Sequence, residues 1–218
     1  MVGGRPLRRK SLGDLDADAR LNVETGTFNP RAPRRRGMNH LAVGTKRLEL
    51  VRGNILDEQV DALVTAANSG LRGGGGVDGA VHRAAGPALL AACREVGGCP
   101  TGDAVATAPG ALELTCVVHA VGPIFGQHGG EEDALLASAH RRALEVAAAA
   151  GAASVAFPAI SCGVYGYPLD RAAPVALSAV VAFLETHDEI DLVRYVLFGA
   201  EEYGAFEQAL SALIESRG

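Results

Sequence analysis

The sequence predicts an α/β fold whose mostly parallel sheet is covered on both faces by helices. Three observations carry that prediction. Short runs rich in Val, Ala, Leu and Ile alternate with longer stretches whose apolar residues recur at helical spacing. Strands joined through helices run parallel and are buried on both faces. Two glycine-bearing loops, after Ala67 and after Pro158, each leave the end of such a run. Ligands of open α/β sheets bind beyond the carboxyl ends of strands, so the two loops should line one cleft.

The elements follow in chain order. Residues 46–51 alternate charged and apolar side chains and read as a strand, and residues 61–67 form a nearly continuous apolar run, as a buried strand does. An alanine-rich helix is expected over 78–96, then strands at 104–108 and 116–121. In the helix at 131–150, Leu135, Leu136, Ala139, Ala143 and Val146 mark one face. Glu131, Glu132 and Asp133 suit its positive end, and Gly151 suits its C-terminal cap. A strand at 154–158, a helix at 169–186, a strand at 193–198 and a helix at 203–215 complete the alternation.

A chain of 218 residues with 48% hydrophobic content fits one compact domain plus a tail. Residues 1–47 carry 11 Lys and Arg against 4 Asp and Glu, a net of +7, while the remainder nets −12. Residues 1–45 therefore read as a basic N-terminal arm, disordered over 1–37, and 46–218 as the folded domain. The acidic domain argues against nucleic acid as the main ligand, leaving only the arm, with Arg34, Arg35 and Arg36, as a possible contact. No apolar run reaches membrane-spanning length and no signal-peptide core is evident, so no membrane partner, a cytoplasmic location and a monomer are expected. Cys93, Cys99, Cys116 and Cys162 form no C-x-x-C pair and no metal-ligand spacing with histidine. Reduced thiols and no metal or cofactor are the expectation.

The most informative stretch runs from Asn68 to Gly86, through Gly73, Gly74, Gly75 and Gly76 into a helix. A glycine loop at a helix N-terminus offers unpaired N–H groups and the positive end of the dipole, which suits phosphate. Gly74, Gly76 and Gly79 satisfy the dinucleotide pattern G-x-G-x-x-G, but the strand is too far upstream and Glu95, the nearest acidic candidate, falls on the helix. A nucleoside-triphosphate loop needs a lysine after its glycines, and none occurs beyond Lys46. Asp78 places a carboxylate beside an anion site, which electrostatics disfavours unless the carboxylate has a role.

These residues resemble the macrodomain family, specifically its MacroD-like class. The likeness extends over residues 46 to 218 and rests on five separate elements in the family's order. They are Gly53-Asn54-Ile55-Leu56, Asn68 to Gly86, Val118 to Pro123, Ile160 to Pro168, and Tyr195 to Gly199 followed by Glu201-Glu202-Tyr203. The resemblance implies a three-layer α/β/α macrodomain with a mixed, mostly parallel central sheet flanked by helices. It also implies ADP-ribose as ligand and no cofactor. The implied activity is removal of mono-ADP-ribose from acidic side chains of modified proteins, deacetylation of O-acetyl-ADP-ribose, or both. The alternatives are a reader that holds ADP-ribose without cleaving it, and a scaffold whose basic arm recruits nucleic acid.

By the same resemblance, Asp78 and Asn68 are the catalytic pair, the first positioning or activating water and the second fixing the distal ribose. Gly73, Gly74, Gly75, Gly76 and Val77 would wrap the distal phosphate and ribose. Ser161, Cys162, Gly163, Val164 and Tyr165 would form the second phosphate loop, with unusual dihedrals at Gly163 and Tyr165 closing over the pyrophosphate. Cys162 stands where the family often has threonine and reads as a small filler. Phe198 would stack on adenine, with Asn54 and Ile55 beside it. Asn54 replaces an aspartate that accepts from the adenine amino group, and Thr65 replaces the first asparagine of the family's Asn-Ala-Ala-Asn. Threonine cannot match an amide's reach, so lower turnover is one consequence. His82 follows Asp78 by four residues on the same helix face and would tune it. His119, inside an apolar strand, reads as a satisfied core histidine.

Overall fold

A computed structural model of the protein describes residues 39–217. The disorder expected over 1–37 lies outside the described residues. Seven strands form one sheet in the order β1-β2-β7-β6-β3-β5-β4. They are β1 (His40–Val43), β2 (Lys46–Arg52), β3 (Ala62–Ala66), β4 (Ala104–Thr107), β5 (Cys116–Ala120), β6 (Ser154–Phe157) and β7 (Leu192–Leu197). The five inner strands β2, β7, β6, β3 and β5 are mutually parallel, while β1 and β4 run antiparallel at the two edges. All five inner strands therefore end at one rim of the sheet.

Five helices flank this sheet: α1 (Gly76–Ala85), α2 (Pro87–Val96), α3 (Glu132–Ala149), α4 (Leu169–Thr186) and α5 (Ala200–Glu215). Alternation along the strands divides the core into two apolar layers. Leu63, Val117 and Ala156 pack with Val81, Leu89 and Cys93 of α1 and α2. Val64, Val118, Val155 and Phe157 face the opposite way, onto Leu136, Leu177, Val180 and Phe206 of α3, α4 and α5. No helix among the described residues is long and apolar enough to cross a membrane.

Two features correct the sequence reading. The folded part begins before residue 46, because His40–Val43 pairs antiparallel with β2. Four residues with one buried side chain carry too little periodicity to stand out as an edge strand. The single helix expected over 78–96 is two helices, because Gly86 takes φ +74° and Pro87 opens α2. Proline removes the N–H that α1 would need to continue and is at ease at a helix start.

Candidate active site

The parallel register lines up the predicted site residues along the rim. Asn54 and Ile55 follow β2, Phe198 follows β7, Ser161 to Tyr165 follow β6, and Thr65, Asn68 and the glycine loop lie at and beyond the end of β3. Two of these segments, the Asn54 turn and the Phe198 turn, are tied together by hydrogen bonds. Gly53 N–H donates to the Leu197 carbonyl at 3.1 Å, which ties the Asn54 turn to Phe198. Glu202 accepts from the N–H groups of Phe198 and Gly199 at 3.1 and 3.0 Å, fixing the turn that presents the phenyl ring. Phe198 is 77% exposed and Val164 98% exposed, so neither is a core residue despite its apolar side chain. Ile55 differs, being buried in the same apolar cluster as α1 and α2, so its side chain is structural and its backbone is what it offers at the rim. Asn54 caps a short 3-10 turn, its Oδ1 accepting from Leu56 N–H at 3.2 Å.

Two clusters of N–H groups beyond the ends of β3 and β6 have no partner among the described residues. Gly75 is the N-cap of α1 and supplies no side-chain cap, so among the described residues the N–H groups of Gly76, Val77 and Asp78 at the helix start are unspent. In the second loop, Ser161 and Gly163 carbonyls accept from Tyr167 and Gly166, closing a turn, while the N–H groups of Gly163, Val164 and Tyr165 bond no described residue. Such a succession of free N–H groups binds anions. The unusual backbone falls at Ser161 (φ +67°), not at Gly163 as the sequence suggested. Serine there is strained, and its buried hydroxyl has no hydrogen-bond partner among the described residues. Close approach explains two other glycines: a Cβ on Gly79 would lie 2.2 Å from the Gly74 carbonyl oxygen, and one on Gly122 the same distance from Ser161 Oγ. The role of Gly122 was not legible in its own segment, because what it touches follows a different strand.

Asp78 sits beneath the first loop, 5% exposed. The Thr65 hydroxyl donates to its Oδ1 at 2.9 Å. That contact was not legible in the sequence, where Thr65 was weighed only against the asparagine amide it replaces. Burial raises the Asp78 pKa, opposed by the Thr65 hydrogen bond and by His82. A carboxylate with a raised pKa is a stronger base, as water activation requires. His82 Nε2 lies 3.7 Å from the same oxygen, close enough for charge but too long for a hydrogen bond.

A Cβ built on Gly74 would lie 3.6 Å from Asp78 Oδ2 and 3.9 Å from Asn68 Nδ2, so the asparagine amide and the free carboxylate oxygen converge under one glycine. Asn68 also braces the loop, donating to the Gly73 carbonyl at 2.8 Å and accepting from Arg72 N–H at 3.4 Å. Cys162 is inert, its thiol pushed up to about 12 by burial and by Glu202. His119 is a buried core histidine on β5, held neutral by burial, with its pKa lowered to about 4.

The same region holds a cluster of side chains that the sequence did not show. Sequence spacing offered no ligand set, yet folding brings His82, Cys93 and His119 together with one ligand atom of each within 4.8 Å of the others.

The Macro domain family matches residues 64–176. A macro domain-containing protein of Streptomyces griseus is 52% identical over 172 residues, spanning 75% of this chain and 94% of that protein. The chain belongs to the Macro domain family. An O-acetyl-ADP-ribose deacetylase of Klebsiella pneumoniae is 48% identical to this macrodomain over 170 residues, 75% of this chain and 96% of its own. The macrodomain of Oceanobacillus iheyensis, solved with ADP, superposes with a TM-score of 0.77 at 41% identity, covering 81% of this chain and 96% of that one. That protein has also been solved with an asparagine, a glycine seven positions on and an aspartate ten positions on each substituted. Asn68, Gly75 and Asp78 stand at the same spacing here.

Proposed function

We propose that this macrodomain binds ADP-ribose and hydrolyses esters on its distal ribose. The observation that carries the reading is Asp78: a buried carboxylate of raised pKa, hydrogen-bonded by Thr65 and sharing the space under Gly74 with the Asn68 amide. On each side of it lie free N–H groups suited to a diphosphate. The order along the rim, from Asn54 and Phe198 through Ser161–Tyr165 to Asn68 and Asp78, matches a ligand with adenine at one end, two phosphates in the middle and a ribose at the other. The ADP-bound Oceanobacillus iheyensis relative and the O-acetyl-ADP-ribose deacetylase relative support this ligand and this reaction.

In this reading Asp78 Oδ2 takes a proton from water, and the resulting hydroxide adds to the ester carbonyl carbon. The carbonyl carbon–ribose oxygen bond then breaks, the ribose oxygen takes up a proton, and a carboxylic acid leaves. With acetate as the acyl group the substrate is O-acetyl-ADP-ribose; with a protein Asp or Glu it is a mono-ADP-ribosylated protein. No step uses a metal or a cofactor. The reader alternative rested on Thr65, and its hydroxyl holds Asp78. Four free cysteines fit a reducing compartment, and cytoplasmic residence is part of this proposal.

The test is calorimetry with ADP-ribose combined with turnover of O-acetyl-ADP-ribose and of a protein ADP-ribosylated on glutamate, each with and without chelator. Binding with turnover that survives the chelator is expected. Binding without cleavage of either ester would establish a reader. Activity lost to chelator and restored by a divalent ion would refute the metal-free mechanism.

A further inference from the structure

His82, Cys93 and His119 come from three different elements, α1, α2 and β5, and none exchanges a proton or bond in the hydrolysis described above, where His82 acts only through its charge on Asp78. Their ligand atoms all lie within 4.8 Å of one another. Cys93 Sγ is 3.5 Å from His119 Nε2 and 4.0 Å from Nδ1. A tetrahedral zinc ion, with Zn–S near 2.3 Å and Zn–N near 2.0–2.1 Å, separates its sulfur and nitrogen ligands by about 3.5 Å. His82 Nε2 is buried and has no hydrogen-bond partner among the described residues. The Thr107 hydroxyl, 2.9 Å from His119 Nε2, holds the ring by that nitrogen and leaves Nδ1, 4.0 Å from Cys93 Sγ and about half an ångström beyond the zinc spacing, as the ligating atom. A surface groove of about 440 Å³ that includes His82, Gly73 and Gly74 in its wall gives an approach from solvent.

We propose that His82, Cys93 and His119 form a binding site for one thiophilic divalent cation of the zinc class, and that its occupation suppresses hydrolysis by drawing Asp78 onto the cation. On binding, the Cys93 S–H bond breaks, a sulfur–metal bond forms and the proton passes to solvent. One thiolate leaves a dication with a surplus positive charge, which the interior does not tolerate unpaired. The Asp78 carboxylate, whose Oδ1 lies 3.7 Å from His82 Nε2, supplies the balancing charge by moving toward the cation. A carboxylate engaged in this way no longer takes a proton from water. Imidazole and thiolate ligands favour zinc and its neighbours over magnesium or calcium.

The suppression rests on the hydrolase reading, but the binding does not. The experiment uses the full chain stripped of metal, titrated with Zn²⁺ by calorimetry and with Co²⁺ by absorbance, and assayed in parallel for ester turnover. One cation per chain is expected, with a thiolate-to-cobalt charge-transfer band and falling turnover as the site fills. Cys93→Ser should remove the band, weaken zinc binding by about a hundredfold or more, and keep the metal-free turnover while losing zinc inhibition. His82→Gln, on the part-exposed ligand, gives a second loss of binding should Cys93→Ser fold poorly, with circular dichroism as the check. Absence of the band, or zinc affinity unchanged in both variants, would overturn the site. Zinc bound through Cys93 with turnover unaffected would overturn the coupling to Asp78. Because cobalt reads the site without turnover, failure of the site is distinguishable from failure of the hydrolase reading.

Discussion

Thr65→Val isolates what a single hydroxyl does for the Asp78 carboxylate. Thr65 is fully buried on β3, and its hydroxyl donates to Asp78 Oδ1 at 2.9 Å. Valine keeps the shape and removes only the donor. A hydrogen bond to a charged group contributes about 1.5–3 kcal/mol. At about 1.36 kcal/mol per pKa unit, losing it raises the Asp78 pKa by a further one to two units, on top of the rise that burial already causes. The acid limb of the pH–rate profile should therefore move upward by about one to two units. Turnover near the limb should fall, while ADP-ribose affinity, set mainly by the phosphate loops and Phe198, stays within a small factor. The assay is kcat/KM for O-acetyl-ADP-ribose across the acid-to-neutral range, with Thr65→Ser as the variant that restores the donor. A profile for Thr65→Val that superposes on the parent's would refute the reasoning, since Asp78 would then owe nothing to Thr65.

Asp78→Asn should lower turnover by about a hundredfold or more, with ADP-ribose bound as well or better because a negative charge beside the phosphates is gone. The raised Asp78 pKa means that its stabilising contribution is present below the unfolded value and is lost as pH rises through the folded value. Asp78→Asn should accordingly raise Tm at neutral pH, and the gain should shrink in acid; a drop in neutral-pH Tm would contradict the assigned direction. Gly163→Glu should abolish ADP-ribose binding in a folded protein. A Cβ there meets nothing within 4 Å, yet the new carboxylate enters a loop of free N–H groups; calorimetry showing undiminished affinity would remove this loop from the site. Phe198→Ala should leave Tm unchanged, since the ring is 77% exposed. Loss of base stacking, about 1–3 kcal/mol, should weaken ADP-ribose roughly five- to hundredfold, and unaltered affinity would place adenine elsewhere.

Much of the site was legible because its chemistry is local. The glycine run, Asp78 at the helix start and the turn after β6 each lie within one short segment, and the end of a strand fixes where such a segment emerges. The elements that were misread depend on partners elsewhere. β1 is a strand only because β2 lies alongside it. Ile55 stands in the family's pattern for a ligand contact, and the structure adds that its side chain is buried in an apolar cluster, which its own segment did not show. The Gly86-Pro87 break was present in the sequence as a turn signal, overridden in reading by the alanine-rich periodicity on either side. The strain expected at Gly163 falls on Ser161, since the path of that loop is set by its packing against Gly122 after β5.

The sequence by itself determined the alternation of elements, the parallel sheet, the two phosphate-suited loops and the place of Asp78 at a helix start beside one of them. These follow from periodicity and from backbone groups that a glycine or a helix start leaves unpaired within a few residues. The tertiary structure decided what acts on that carboxylate. Thr65 reaches Asp78 across 13 residues of chain, and Cys93 meets His119 across 26. Hydrogen bonds, desolvation and ligand geometry act over a few ångströms of space, and only the packing of α1 and α2 against β3 and β5 brings those groups within that range.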